Sequence, residues 1–223
     1  MSYNTFTPIV TNGLVLYLDA ANTKSYPGTG TSWLDLSKNN LTGTLFNTPT
    51  FSTDNGGCFV FNGTTQYIEV LNNALLNSNT QTISIWYNAS VLPGRQATII
   101  GKHTSSGSWD GYNIWAGNQV QIKIGSADGG SLGLNNGVIN TWYKLTLTYT
   151  VNSSMSFYVN GVLVGTTSLG NLAITSQSLR IGKSSDSFWT AFTGKIALVS
   201  IYNRVLTASE VLQNYNATKY RFQ

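Results

Sequence analysis

The chain has 223 residues, enough for one large β domain or two small ones, and at this size roughly 70% of the unfolded surface can be buried without covalent staples. Hydrophobic residues make up 41% and aromatics 12%, but charged residues only 9%, against roughly 25% in an average soluble domain. Twelve bases and eight acids give a net charge of +4, spread without the basic stripe of a nucleic-acid binder, and the single cysteine, Cys58, excludes an internal disulfide and a cysteine-built metal site.

Asn, Thr, Ser and Gly replace the missing charge, and these residues suit turns and the solvent faces of strands better than helices. Residues 1–12 read as an N-terminal arm and 13–223 as a single β domain. The start, Met1-Ser2-Tyr3-Asn4-Thr5-Phe6, has no basic region followed by an apolar one, so a secretory signal is not expected. No apolar run reaches the roughly 20 residues that span a bilayer.

In chain order, Leu14-Val15-Leu16-Tyr17-Leu18 is apolar on both faces and reads as a central, doubly covered strand. Gln119 to Ile124 alternates, with Val120, Ile122 and Ile124 on one side. Trp142 to Tyr149 alternates as well: Tyr143, Leu145, Leu147 and Tyr149 face one way, Lys144, Thr146 and Thr148 the other. Period-2 patterning predicts antiparallel strands with one wet face. Met155 to Val159, then Asn160-Gly161, then Val162 to Val164 is a hairpin, because Asn-Gly supplies the positive φ angles of a type I′ turn. Ile196 to Ile201 is a second strand apolar on both faces and is expected beside Leu14–Leu18. Thr207-Ala208-Ser209-Glu210 is a capping box with Leu206 and Val211 as hydrophobic staple. It predicts one short helix over 207–216 that docks Val211, Leu212 and Tyr215.

Phe59-Val60-Phe61-Asn62-Gly63-Thr64-Thr65-Gln66-Tyr67-Ile68-Glu69-Val70 resembles the early strands of laminin-G-like, concanavalin A-like domains. Thr82 to Tyr87, Thr98 to Lys102, Gly111 to Ile114, Asn140 to Leu145, Phe157 to Gly161, Leu179 to Gly182 and Phe192 to Thr207 follow in the family's order. The resemblance implies an all-β, two-sheet antiparallel jelly-roll sandwich with one short C-terminal helix. Gly13 to Ala20 followed by Trp33-Leu34-Asp35-Leu36-Ser37 is similar to the variant frequent in tailed-phage virion proteins. Related modules also occur in bacterial surface proteins. One departure stands out: where the family has Gly-x-Ile-Asp-Glu, this chain has Ala197 and Leu198 after Ile196, so any network built on those acids should be absent or rebuilt.

Glycosidases need two carboxylates about 5 to 10 Å apart, yet Asp19, Asp35, Asp54, Glu69, Asp110, Asp128, Asp186 and Glu210 are scattered, with no pair on one strand face. His103 is the sole histidine, in a Gly/Ser loop, and is expected to be solvent-exposed; Cys58 is expected to be a buried structural thiol. No phosphate loop opens a helix. The resemblance admits one calcium, for which Asp110, Asp128 and Asp186 are the loop carboxylates, although each is more simply a turn residue. Sugar binding needs an aromatic platform beside polar groups; Trp109, Tyr112, Trp115 and Trp189 are the candidates for carbohydrate or partner contact. The expectation is therefore a non-enzymatic virion decoration protein, bound to capsid or tail proteins or to itself as a homo-oligomer, with no cofactor, nucleic acid or membrane. The alternative is an extracellular or cell-surface carbohydrate-binding module holding a host or environmental glycan, and a glycosidase of the same fold comes last.

Overall fold

The computed structural model describes residues 7–92, 97–104, 110–116, 119–124, 134–135, 138–172, 175–186 and 189–223. The strands are β1 (Leu14–Asp19), β2 (Ser32–Trp33), β3 (Gly43–Phe46), β4 (Thr50–Ser52), β5 (Cys58–Asn62), β6 (Tyr67–Val70), β7 (Thr80–Ala89), β8 (Ala97–His103) and β9 (Gly111–Ala116). They continue with β10 (Gln119–Ile124), β11 (Leu134–Asn135), β12 (Trp142–Thr150), β13 (Ser154–Val159), β14 (Val162–Ser168), β15 (Leu179–Ile181), β16 (Thr190–Ala191) and β17 (Thr193–Tyr202), and the helix α1 spans Ala208–Asn216.

They form two sheets, one in the order β14-β13-β12-β7-β17-β5-β4 with β1 also on β17, the other β11-β10-β9-β8-β15-β6-β3-β2 with β16 beside β8. All pairings are antiparallel among the described residues except the short β16–β8 contact. The expected jelly-roll sandwich is therefore observed, and β1 does pair with β17, Leu18 opposite Val199. The Asn160-Gly161 turn has φ of 50° and 81°, as a type I′ hairpin requires, and Val162 pairs with Val159 across it.

Alternate residues of each strand fill the interior. Ile83, Ile85 and Tyr87 from β7, Leu145, Leu147 and Tyr149 from β12, and Ile68, Val70, Tyr112 and Ile114 from the facing sheet share one apolar cluster. Burial of such side chains is the main favourable term in folding. Trp33 and Phe59 meet edge-on at 4.9 Å within it. Between β1 and β3, the carboxylate of Asp35 accepts from the amides of Tyr17, Ser37 and Leu41, which fixes the opening turn.

One expectation about the first sheet is corrected. The face carrying Lys144, Thr146 and Thr148 is not wet; all three are buried, because α1 and the C-terminal residues lie across it. Thr207 caps α1 with the reciprocal Glu210 bond, and Leu206 and Val211 are buried together with Val10 and Tyr202. Tyr215 stacks on Trp86, while Leu212 stays 44% exposed and reaches only the Gly161 turn. Ala197 and Leu198 pack with Cys58 and Trp86 against Tyr215 and Phe222. Carboxylates there would be desolvated beneath two aromatic rings, which accounts for the apolar departure from the family pattern. Part of the N-terminal arm is tied to this cover: the Val10 amide donates to Asn214 Oδ1 and Tyr202 Oη to the Val10 carbonyl.

Candidate functional site

The second sheet offers the other outer face. On β8 and β9, register places Thr98 opposite Trp115 and Gly101 opposite Asn113. Arg180 of β15 pairs with Gly101, Glu69 of β6 with Arg180, and Thr44 of β3 with Glu69. Since Ile114, Ile181, Ile68 and Leu45 point into the core, strand alternation sends Trp115, Asn113, Arg180, Glu69 and Thr44 outward.

Over β8 and β9 this face is roofed by the chain that leaves β15. Ser184 Oγ lies 2.9 Å from His103 Nε2, and Ser185 Oγ donates to the His103 carbonyl. Trp189 stacks on Trp115, centroids 4.9 Å apart at 19°. Trp115 is thus only 5% exposed, whereas Trp189 above it is half-buried. Beneath the roof, Asn113 Nδ2 donates to Thr98 Oγ1, and Gly101 leaves the room that Asn113 occupies, since a Cβ there would stand 2.7 Å from its side-chain oxygen.

Over β15, β6 and β3 the face is open. Arg180 Nε donates to Glu69 Oε2 at 2.8 Å, with both side chains partly exposed. The same guanidinium lies 4.6 Å from the ring centre of Tyr67. Tyr67 stacks on Phe46 at 4.7 Å and 7°, and Phe46 is 37% exposed. The face therefore carries two stacked aromatic pairs with a charged hydrogen-bonding strip between their strands. At its β3–β6 end, Thr44 also lines a cleft of about 420 Å³ in which the polar side chains of Asn40, Thr42, Asn72 and Asn73 alternate with aliphatic Leu41, Val70 and Leu71.

The sequence candidates are distributed unevenly. Trp115 and Trp189 are brought together. Tyr112 points the other way, into the core near Tyr149, and is buried, so it offers no platform. Trp109 lies outside the described residues, as does Asp128. Asp110 accepts the Thr104 amide through its main-chain carbonyl, and the Asp186 amide donates to Ser184 Oγ. Among the described residues no three His, Cys, Asp or Glu side chains converge as a metal site would require. His103 is not the exposed loop residue expected: it ends β8, is 2% exposed, and burial lowers its pKa, because the Ser184 segment covers it. Cys58 is buried, and burial raises its thiol pKa. Phe46, Tyr67 and Arg180 escaped the sequence reading, and Glu69 figured there only among the scattered acids. The period-2 pattern of Tyr67-Ile68-Glu69-Val70 was the available signal, but pairing it with Phe46 and Arg180 needs the strand register.

Residues 62–212 match the sequence pattern of the concanavalin A-like lectin/glucanases superfamily. The chain belongs to that superfamily. A search of curated protein sequences finds no match. Among solved structures, the binding domain of Paraclostridial Mosquitocidal Protein 1 superposes with a TM-score of 0.70 and 17% identity over 93% of this chain and 52% of that one. Domain 4 of a GH43 extracellular arabinanase from Geobacillus stearothermophilus, solved in complex with arabinotriose, gives 0.69 and 20% identity, covering 91% and 98%. A Trypanosoma rangeli sialidase mutant displaying trans-sialidase activity gives 0.70 and 16%, covering 96% and 34%. This lectin/glucanase-superfamily chain thus spans about half of the mosquitocidal chain and a third of the sialidase, and identities at this level establish the shared sandwich. Among the described residues no helix is long and apolar enough to cross a membrane.

Proposed function

We propose that this chain is a non-enzymatic carbohydrate-binding module whose glycan lies on the outer face of the second sheet. The observation that carries this reading is the pair of stacks, Trp115–Trp189 and Phe46–Tyr67, on a face that also presents Arg180 and Glu69. Sugar rings are apolar on their C–H faces and polar at their rims. Flat aromatic surfaces beside fixed planar hydrogen-bonding groups complement both. A side chain already stacked on a neighbour loses little further rotamer freedom on binding.

The comparisons back this reading better than virion attachment, because the arabinanase domain was solved with a bound oligosaccharide and the mosquitocidal relative is a binding domain. Turnover is less well supported. Asp19, Asp54, Glu69 and Glu210 are each paired with a base, so half of the eight acids are neutralised by structural partners. A general acid needs a raised pKa, whereas the ion pairs of Asp54 and Glu210 lower theirs.

A broad glycan array followed by calorimetry tests the proposal. Binding to an oligosaccharide, lost in Trp189→Ala and Phe46→Ala with the fold retained, is the expected result. An array without a hit, or binding untouched by both variants, overturns it.

A further inference from the structure

A second polar site lies between the two sheets, on the inward side of β8 and β9. Lys102 of β8 and Tyr112 of β9 are register partners, and both turn inward between the sheets, 1% and 2% exposed. With Ser78, Tyr149, Leu172 and Thr175 they line a cavity of about 20 Å³. That is the space of one water-sized particle.

The hydrogen-bond inventory of this cavity is one-sided. An ammonium has three donors and no acceptor, and Lys102 Nζ uses one of them on the Thr175 carbonyl at 2.7 Å. The Tyr112 hydroxyl is buried without a partner. Tyr149 Oη lies 2.7 Å from Gln81 Oε1 and 3.3 Å from the Ser78 carbonyl, acceptors that take its own proton. No carboxylate among the described residues forms an ion pair with Lys102. The cavity therefore places an ammonium with spare donors beside an unpartnered phenol. A guest that only accepts, and carries negative charge, answers the ammonium and the phenol together and gains the charge attraction that a neutral guest lacks.

We propose that this cavity is a binding site for a small monovalent anion of halide size, held between Lys102 Nζ and Tyr112 Oη. The ammonium, which burial alone pulls down to about 8, is then stabilised in its charged form by the bound ion. The Tyr112 phenol, whose pKa burial raises, stays a donor throughout.

Thermal unfolding at pH 6.5 and fixed ionic strength, with sodium sulfate progressively replaced by sodium bromide, tests the site. Bromide should raise Tm along a saturating curve, as ligand linkage requires, against the general trend in which sulfate stabilises. Tyr112→Phe, which keeps the ring, should lose most of that response, and Lys102→Met all of it. Crystals soaked in bromide should show an anomalous peak between the two side-chain atoms. A bromide response equal in wild type and Tyr112→Phe, or no bromide peak in the cavity, overturns the proposal, whether or not Lys102→Met folds.

Discussion

Lys144 Nζ donates to the main-chain carbonyl of Asn214 at 2.7 Å, so a buried ammonium on β12 closes the C-terminal turn of α1 where it crosses the sheet. Thr218 Oγ1 takes a second bond from it at 3.3 Å, and the Trp86 ring lies 6.0 Å away. A cation suits a helix C-terminus, whose free carbonyls carry partial negative charge. The location still exacts desolvation: burial pulls the Lys144 pKa down to about 7, and distant Asp19 compensates only in part.

That shift sets the pH dependence of stability. An unfolded lysine titrates near 10.4, so between about pH 7 and 10 the unfolded chain binds more protons at Lys144 than the folded chain does. Stability must rise with pH across that window, and Lys102, lowered to about 8, adds in the same direction. Above about pH 10 the sign reverses. Tyr17, Tyr87, Tyr112, Tyr149 and Tyr202 are all held protonated by burial, while unfolded tyrosines ionise near 10. Urea midpoints measured from pH 6 to 11 should peak on the alkaline side, near pH 9 to 10, by an amount on the order of a few kcal/mol. Lys144→Met should flatten the rising limb. A maximum at pH 6 to 7 would contradict this account.

The capping box gives an acid-side prediction. Glu210 is held down to about 2, first by Arg204 and then by the Thr207 main chain. A depressed carboxylate contributes stability above its unfolded value near 4.3 and loses it as pH falls toward 2. Glu210 is only partly buried, so its share is modest after solvent screening. Thr207→Ala should cost about 1 kcal/mol, and Glu210→Gln should remove part of the acid sensitivity between pH 4.5 and 2 in denaturant titrations.

How legible this molecule was depended on whether a signal was local. The Asn160-Gly161 turn and the Thr207–Glu210 box are fixed by neighbours within four residues, so their residue types alone specified them. The cover over Lys144, Thr146 and Thr148 was not legible. Alternation told that these three share a face, and it did so correctly, but whether water reaches that face is decided by a helix far along the chain. His103 was misplaced for the same reason, since Ser184 covers it. The aromatic face was half visible: Trp115 and Trp189 could be picked out as rings, whereas their stacking follows from β16 lying beside β8.

The apolar pair Ala197–Leu198 yields a prediction about what holds the cover down. Both are buried under Trp86, Tyr215 and Phe222, and Ala197 sits at the bulge of β17 against β7. Ala197→Asp would place a carboxylate there without a partner, at a cost of about 3 kcal/mol or more. Hydrogen exchange should show the amides of α1 losing protection ahead of those of β7 and β12, because the helix is seated on this cluster. Uniform loss across all three would show instead that cover and sandwich unfold as one unit.

The two aromatic stacks also make separable predictions if they hold one extended glycan. Trp189 rests on a nearly buried partner, so Trp189→Ala removes a platform and uncovers Trp115. Phe46 rests on Tyr67, which the Arg180 guanidinium faces in turn. Each truncation therefore leaves one ring of its stack in place. Each substitution should weaken a long oligosaccharide by up to about tenfold, a tenfold change being about 1.4 kcal/mol. With a disaccharide too short to reach both stacks, only one of the two variants should have an effect. Arg180→Ala should act through both its bond to Glu69 and its contact with Tyr67, so its effect and that of Phe46→Ala should be non-additive in a double-mutant cycle. Additive losses for that pair, measured by calorimetry on the same oligosaccharide, would mean that the guanidinium and the stack contact the sugar independently.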